Sequence, residues 1–133
     1  MKIAEIDHIH VYVEDIEQAE HWYKEVLGFS RDSSLYFWFE QGGPLVISNN
    51  GASLSLFLRE SQHPGHTMAF GVRAPSFIEL IPILKNNGIP FTVSDHEVSM
   101  SVYFSDLSNN KIEVTSYDYI QAKQILEVTC PQD

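Results

Sequence analysis

From Ile3 to Val13 apolar and polar positions alternate along the chain. Ile6, His8, His10 and Tyr12 fall on one side of an extended backbone, and Ile9, Val11 and Val13 on the other. A period of two predicts a strand. The pattern then changes. Ile16, Ala19, Trp22, Tyr23, Val26 and Leu27 recur at intervals of three and four, which predicts an amphipathic helix. Asp15 suits its N-cap, and Gly28 suits the left-handed position after its last turn. The aromatic-rich stretch SSLYFWFEQ (Ser33 to Gln41) is predicted as a strand, and GGPLVISNNG as a turn, a short strand and a second turn. ASLSLFLRE (Ala52 to Glu60) alternates again, with Leu54, Leu56 and Leu58 opposite Ser53, Ser55 and Phe57. The first half reads β-α-β-β-β.

After the polar link SQHPGH the order repeats. TMAFGV (Thr67 to Val72) is predicted as a strand. Ala74 to Phe91 is predicted as a helix capped by Ser76, stopped by Gly88 and disturbed by Pro82. FTVSD, SMSVYFSD and NKIEVTSYD are three further strands, and the tail from about residue 118 to 128 is a short amphipathic helix. Gly28 and Gly88 close the two helices, and Asn49-Asn50 and Asn109-Asn110 each precede a final strand. These matches imply a duplication with a period of about 60 residues. The expected fold is α+β. Two repeated βαβββ modules, at about residues 3–60 and 66–117 of one domain, form a cup-shaped, partly open eight-stranded sheet with the helices outside.

Two stretches carry a resemblance. DHIHVYVEDIEQAEHWYKEVLGF resembles the opening of vicinal oxygen chelate proteins, the glyoxalase/bleomycin resistance/extradiol dioxygenase superfamily. FSDLSNNKIEV resembles that family's closing motif. The resemblance extends over about residues 4 to 117. Metal-using members place one ligand on the first and last strand of each module, facing the cup. Carried onto this chain, the four slots fall on His8, Ser55, Thr67 and Glu113, two good ligands and two hydroxyls. Strand phase independently turns Glu113, Ser55 and Thr67 inward, because their neighbours Ile112 and Val114, Leu54 and Leu56, and Met68 and Phe70 form the apolar faces.

A site for one divalent metal (Ni, Mn, Fe or Zn) needs a third strong ligand beside His8 and Glu113. His10 lies two residues along the strand, a step of roughly 6.5–7 Å, which places it too far for the same ion. His66 would serve only if a bulge turned its ring inward. Without a metal, His8 is a polar wall residue of the cup and His10 lines it. Tyr12 and Phe57 face the cup by strand phase. Within LYFWF, Tyr36 and Trp38 are preferred over Phe37 and Phe39 because their rings carry hydrogen-bonding groups. Aromatic walls and one carboxylate suit a flat or cationic organic ligand.

Composition narrows the partners. Eighteen acidic against eight basic residues give a formal net charge of −10, which disfavours nucleic acid and anionic membranes and favours cations. Cys130 is the single cysteine, so an intrachain disulfide and a thiolate cluster are excluded. The opening residues lack the apolar run of a signal peptide, so a cytoplasmic protein is expected. The expected function is small-molecule binding, similar to the bleomycin resistance branch, without a complete metal site. The alternative is a metal-dependent lyase or dioxygenase using His8, Glu113 and a third ligand. The resemblance also implies a homodimer.

Overall fold

The alternating opening forms strand β1 (Ile9–Val13), and the helical pattern after it forms α1 (Ile16–Leu27). These come from a computed structural model that describes residue 2, residues 4–60 and residues 67–129. The described residues fall into two compact units. One lies within Met1–Gly65 together with Asp106–Asn110, and the other within His66–Ser105 together with Lys111–Asp133. His63, His66 and Cys130 lie outside the described residues.

In the first unit, Asp15 caps α1 by accepting from the backbone N–H of Gln18, and Gly28 ends it at φ 71°. Strands β2 (Ser30–Arg31), β3 (Leu45–Asn49) and β4 (Ala52–Leu58) complete a four-stranded sheet in the order β1-β4-β3-β2. β1 runs parallel to β4, and the other pairs are antiparallel. Val11, Val13, Leu45, Ile47, Leu54 and Leu56 are buried on the sheet, as are Ala19, Tyr23 and Val26 on α1. Each such aliphatic side chain contributes about 1.5–3 kcal/mol by leaving water.

SSLYFWFEQ is not a strand. Ser33–Leu35 is a 3-10 turn and Tyr36–Glu40 is helix α2. Aromatic content favours a pleated surface, but local capping wins here. The Asp32 carboxylate accepts from both the backbone N–H and the hydroxyl of Ser34, which fixes a helical start. At the other end Gly43 donates its N–H to the Trp38 carbonyl at 2.7 Å. A Cβ on Gly43 would stand 2.9 Å from that oxygen, so the close approach requires glycine. The two-residue β2, which sequence pattern did not show, takes the edge position instead.

Asp106–Asn110 folds with the first unit around one carboxylate. Asp106 accepts from the Tyr23 hydroxyl (2.8 Å), the backbone N–H groups of Ser108 and Asn110, and the side-chain amide of Asn110.

The second unit holds β5 (Met68–Gly71), α3 (Ala74–Asn86), β6 (Thr92–Asp95), β7 (Met100–Ser105), β8 (Lys111–Ser116) and α4 (Tyr119–Thr129). Its sheet order is β5-β8-β7-β6, with β5 parallel to β8. This is the topology of the first sheet. Met68, Met100, Val102, Phe104, Ile112 and Val114 are buried on the sheet, with Phe77, Leu80, Ile81 and Leu84 buried on α3. Ser76 does not cap α3. The helix starts one turn earlier in chain than that cap requires, at Ala74, whose N–H is satisfied from outside by the Asp118 carboxylate at 3.0 Å. Pro82 remains inside α3, at an exposed position.

The fold is thus α+β, and the described residues form eight strands in two open four-stranded mixed sheets and four α-helices. Among the described residues no helix is long and apolar enough to cross a membrane.

Candidate functional site

The face of the first sheet opposite its aliphatic layer carries polar and aromatic side chains. Register places His10 beside Ser55 and Tyr12 beside Phe57. The rings form a continuous ladder. His8 stacks on His10 with centroids 4.9 Å apart, His10 meets Phe57 at 4.8 Å, and Phe57 stacks on Tyr12 at 5.5 Å. The outer rungs stay open to solvent. Tyr12 is 41% exposed, and the His8 side chain is 41% exposed. Ser55 is buried beneath the ladder. His10, Tyr12, Ser55 and Phe57 stand on β1 and β4 at the faces that a period of two predicts, but the strand begins at Ile9 rather than Ile3, so His8 lies on the segment before it.

The two imidazoles are closer than strand spacing suggested. His8 Nε2 and His10 Nε2 lie 3.0 Å apart. The rise of a strand fixes Cα positions, but these side chains lean toward each other and close the gap. His8 Nδ1–H donates to the Asp7 carboxylate at 2.8 Å, so in the neutral ring His8 Nε2 is the acceptor and His10 Nε2–H the donor.

Tyr36 and Trp38 sit on helix α2 rather than on a strand. The Tyr36 ring lies under the Arg31 guanidinium at 4.2 Å and tilts against Phe39, while Trp38 is 43% exposed beside Phe37. The alternation used to choose between the two pairs does not apply to a helix, where successive side chains turn by about 100°.

The second sheet has its own polar face. Glu113, half-buried on β8, accepts from the Ser101 hydroxyl at 2.9 Å, and Ser101 also lies 3.0 Å from the Thr115 hydroxyl. Ser101 is fully buried. Tyr103 pairs with Glu113 across the strands, and its hydroxyl lies 2.8 Å from His96 Nε2. Burial, then the Glu113 charge and hydrogen bond, hold the Tyr103 phenol above its ordinary range. Ser101, Tyr103 and His96 were missed from the sequence. Their signal was available for the first two, which alternate with the buried Met100, Val102 and Phe104.

Thr67 is exposed and precedes β5 without joining it, and the residue that β5 sets against Glu113 is Ala69. Neither residue is a strong metal ligand. Ser55 is a hydroxyl as well. Among the described residues no group of three or more His, Cys, Asp or Glu side chains is placed to hold a metal ion. The donor chemistry of Ser55, Thr67 and Ala69 does not fit the four-slot metal site that the resemblance implies. His8 belongs to the first unit and Glu113 to the second.

Comparison with known proteins agrees with the topology. A family model described as the glyoxalase/bleomycin resistance protein/dioxygenase superfamily matches residues 5–114. The chain belongs to that superfamily. Among solved structures it is similar to virulence protein STM3117 from Salmonella typhimurium, with 23% identity, a TM-score of 0.67, and 88% of this chain and 99% of that one covered. It is similar to lactoylglutathione lyase from Agrobacterium tumefaciens, with 20% identity, a TM-score of 0.71 and coverage of 87% and 96%. It also resembles a glyoxalase/dioxygenase from Nostoc punctiforme, with 19% identity, a TM-score of 0.69 and coverage of 85% and 90%. At these identities the likeness is one of fold.

Proposed function

We propose that this chain is a small-molecule-binding member of the superfamily that holds a flat aromatic or cationic organic ligand in a cup without a complete four-ligand metal site. The observation that supports this reading is the open ladder His8–His10–Phe57–Tyr12. Three rings on one sheet face, continued by His8 just before β1, with solvent access at Tyr12 and His8, offer an aromatic wall rather than a closed core. A net charge of −10 favours a cation, and Glu113 adds a carboxylate to the polar face of the second sheet. The reading includes a cytoplasmic homodimer, which light scattering of the purified protein tests.

The test uses proflavine, a planar aromatic cation, and anthracene-9-carboxylate, a planar anion of similar size, titrated calorimetrically with EDTA present. Proflavine is expected to bind at micromolar concentration and the anion far more weakly. Tyr12→Ala and Phe57→Ala each weaken proflavine by about tenfold, given about 1–1.5 kcal/mol for an aromatic contact. Equal binding of both probes, or binding unchanged by both substitutions, overturns the reading. The rival, a metal-dependent lyase or dioxygenase, draws support from the Asp7–His8 hydrogen bond, since a carboxylate on the far ring nitrogen orients a ligating histidine and raises its basicity. It requires stoichiometric metal lost together in His8→Ala and Glu113→Gln.

A further inference from the structure

We propose that His8 and His10 form a two-imidazole chelate for a tetragonal divalent cation of the copper(II) class, a donor pair that shares His8 with the four-slot site the resemblance implies but takes in none of Ser55, Thr67 and Glu113. The proposal does not depend on the ligand-binding reading.

Three observations carry it. The first is a distance: His8 Nε2 and His10 Nε2 stand 3.0 Å apart. Imidazole nitrogens bind such ions at about 2.0–2.1 Å, so two nitrogens at this separation subtend roughly 91–97° at a shared ion. That is the cis angle of square-planar or octahedral coordination. A tetrahedral ion would need them about 3.3–3.4 Å apart. Tetragonal nitrogen and oxygen sites select copper(II) and nickel(II), and the general order of affinities places copper highest.

The second is the tautomer. Asp7 accepts from His8 Nδ1–H at 2.8 Å, which leaves His8 Nε2 as a lone-pair donor. His10 has no such partner on Nδ1 among the described contacts, so its proton is free to move from Nε2 to Nδ1 through solvent. One ion then replaces the single proton that now lies between the rings.

The third is access. Both histidines are exposed, so waters can complete the coordination sphere and the ion can enter without opening the fold. The Phe57 ring at 4.8 Å backs His10 and limits its alternative rotamers.

The protein, treated with EDTA and dialysed, is titrated with copper(II), nickel(II) and zinc(II) by calorimetry. Copper binding is followed in parallel by electron paramagnetic resonance. One copper per chain is expected, tighter than nickel and nickel tighter than zinc, with a tetragonal spectrum split by two nitrogens. His8→Ala and His10→Ala each lower copper affinity by tenfold or more, and His10→Gln does the same. Asp7→Asn lowers it by about tenfold, because the carboxylate that orients the His8 ring and raises its basicity is lost. Unchanged circular dichroism shows that the variants fold. Copper affinity that survives His8→Ala or His10→Ala, a spectrum with one nitrogen, or zinc bound more tightly than copper overturns the proposal. Asp7→Asn leaves all four rings of the ladder in place, so copper affinity lowered there with proflavine binding unchanged separates this proposal from the ligand-binding reading.

Discussion

Tyr23 is fully buried, and its hydroxyl is 2.8 Å from Asp106, the carboxylate that organises Asp106–Asn110. Tyr23→Phe removes one charge-assisted hydrogen bond and little volume. Asp106 keeps three donors, from Ser108 N–H, Asn110 N–H and the Asn110 amide. The expected cost is therefore that of one bond to a charged acceptor, about 1.5–3 kcal/mol, or a fall in Tm of about 5–12 °C. The pH dependence carries the sharper test. Burial first, then the charge and hydrogen bond of Asp106, hold the Tyr23 phenol far above its ordinary range. Above pH about 10 the unfolded chain releases this proton and the folded protein does not. The folded pKa is the raised one, so the stability is complete below the unfolded pKa and is lost as pH rises past it, at about 1.4 kcal/mol per pH unit. Phenylalanine has no such proton. The other tyrosines are common to both proteins and cancel. Urea unfolding at pH 8 and pH 11 should show the gap between wild type and Tyr23→Phe narrowing by about 1.4 kcal/mol. A gap that stays constant or widens refutes the assignment of a buried, neutral phenol held by Asp106.

Other substitutions test separate parts of the account. Gly43→Ala places a Cβ against the Trp38 carbonyl and should destabilise by about 1–3 kcal/mol in chemical denaturation, as overpacking does. Pro82→Ala restores a backbone donor at an exposed position inside α3 and should raise stability by about 1–3 kcal/mol, read from the same curves. The Ala74 N–H, then Arg73, hold the Asp118 carboxyl below its usual range. A depressed pKa contributes stability above the unfolded value of about 3.9 and loses it as acid titrates the group. Asp118→Asn should therefore lower Tm at pH 7, and the difference from wild type should shrink below pH 4.

Strand period was enough to place His10, Tyr12, Ser55 and Phe57 on their sheet, because each alternates with residues that must be buried, Val11, Val13, Leu54 and Leu56, whereas His8 lies before β1 begins at Ile9. Asp15 and Gly28 were equally legible, since a cap is a local hydrogen bond written within four residues. Tyr36 and Trp38 were misread because aromatic content was weighed above the Asp32–Ser34 cap and the Gly42-Gly43 stop that bracket them. The start of α3 was illegible for a different reason. Its capping carboxylate, Asp118, arrives from 44 residues away. The 3.0 Å approach of the two imidazoles lay beyond a pattern that fixes Cα positions and leaves χ angles free.

The central claim is that the His8–His10–Phe57–Tyr12 face contacts the ligand. Proton–carbon correlation spectra of the aromatic rings, recorded in EDTA while proflavine is added, test it most directly. The account predicts that ring signals of His8, His10, Phe57 and Tyr12 shift together and saturate at one ligand per chain, while those of the buried Tyr23 stay in place. Saturable binding that moves only other rings, such as Trp22 or Phe37, would contradict it.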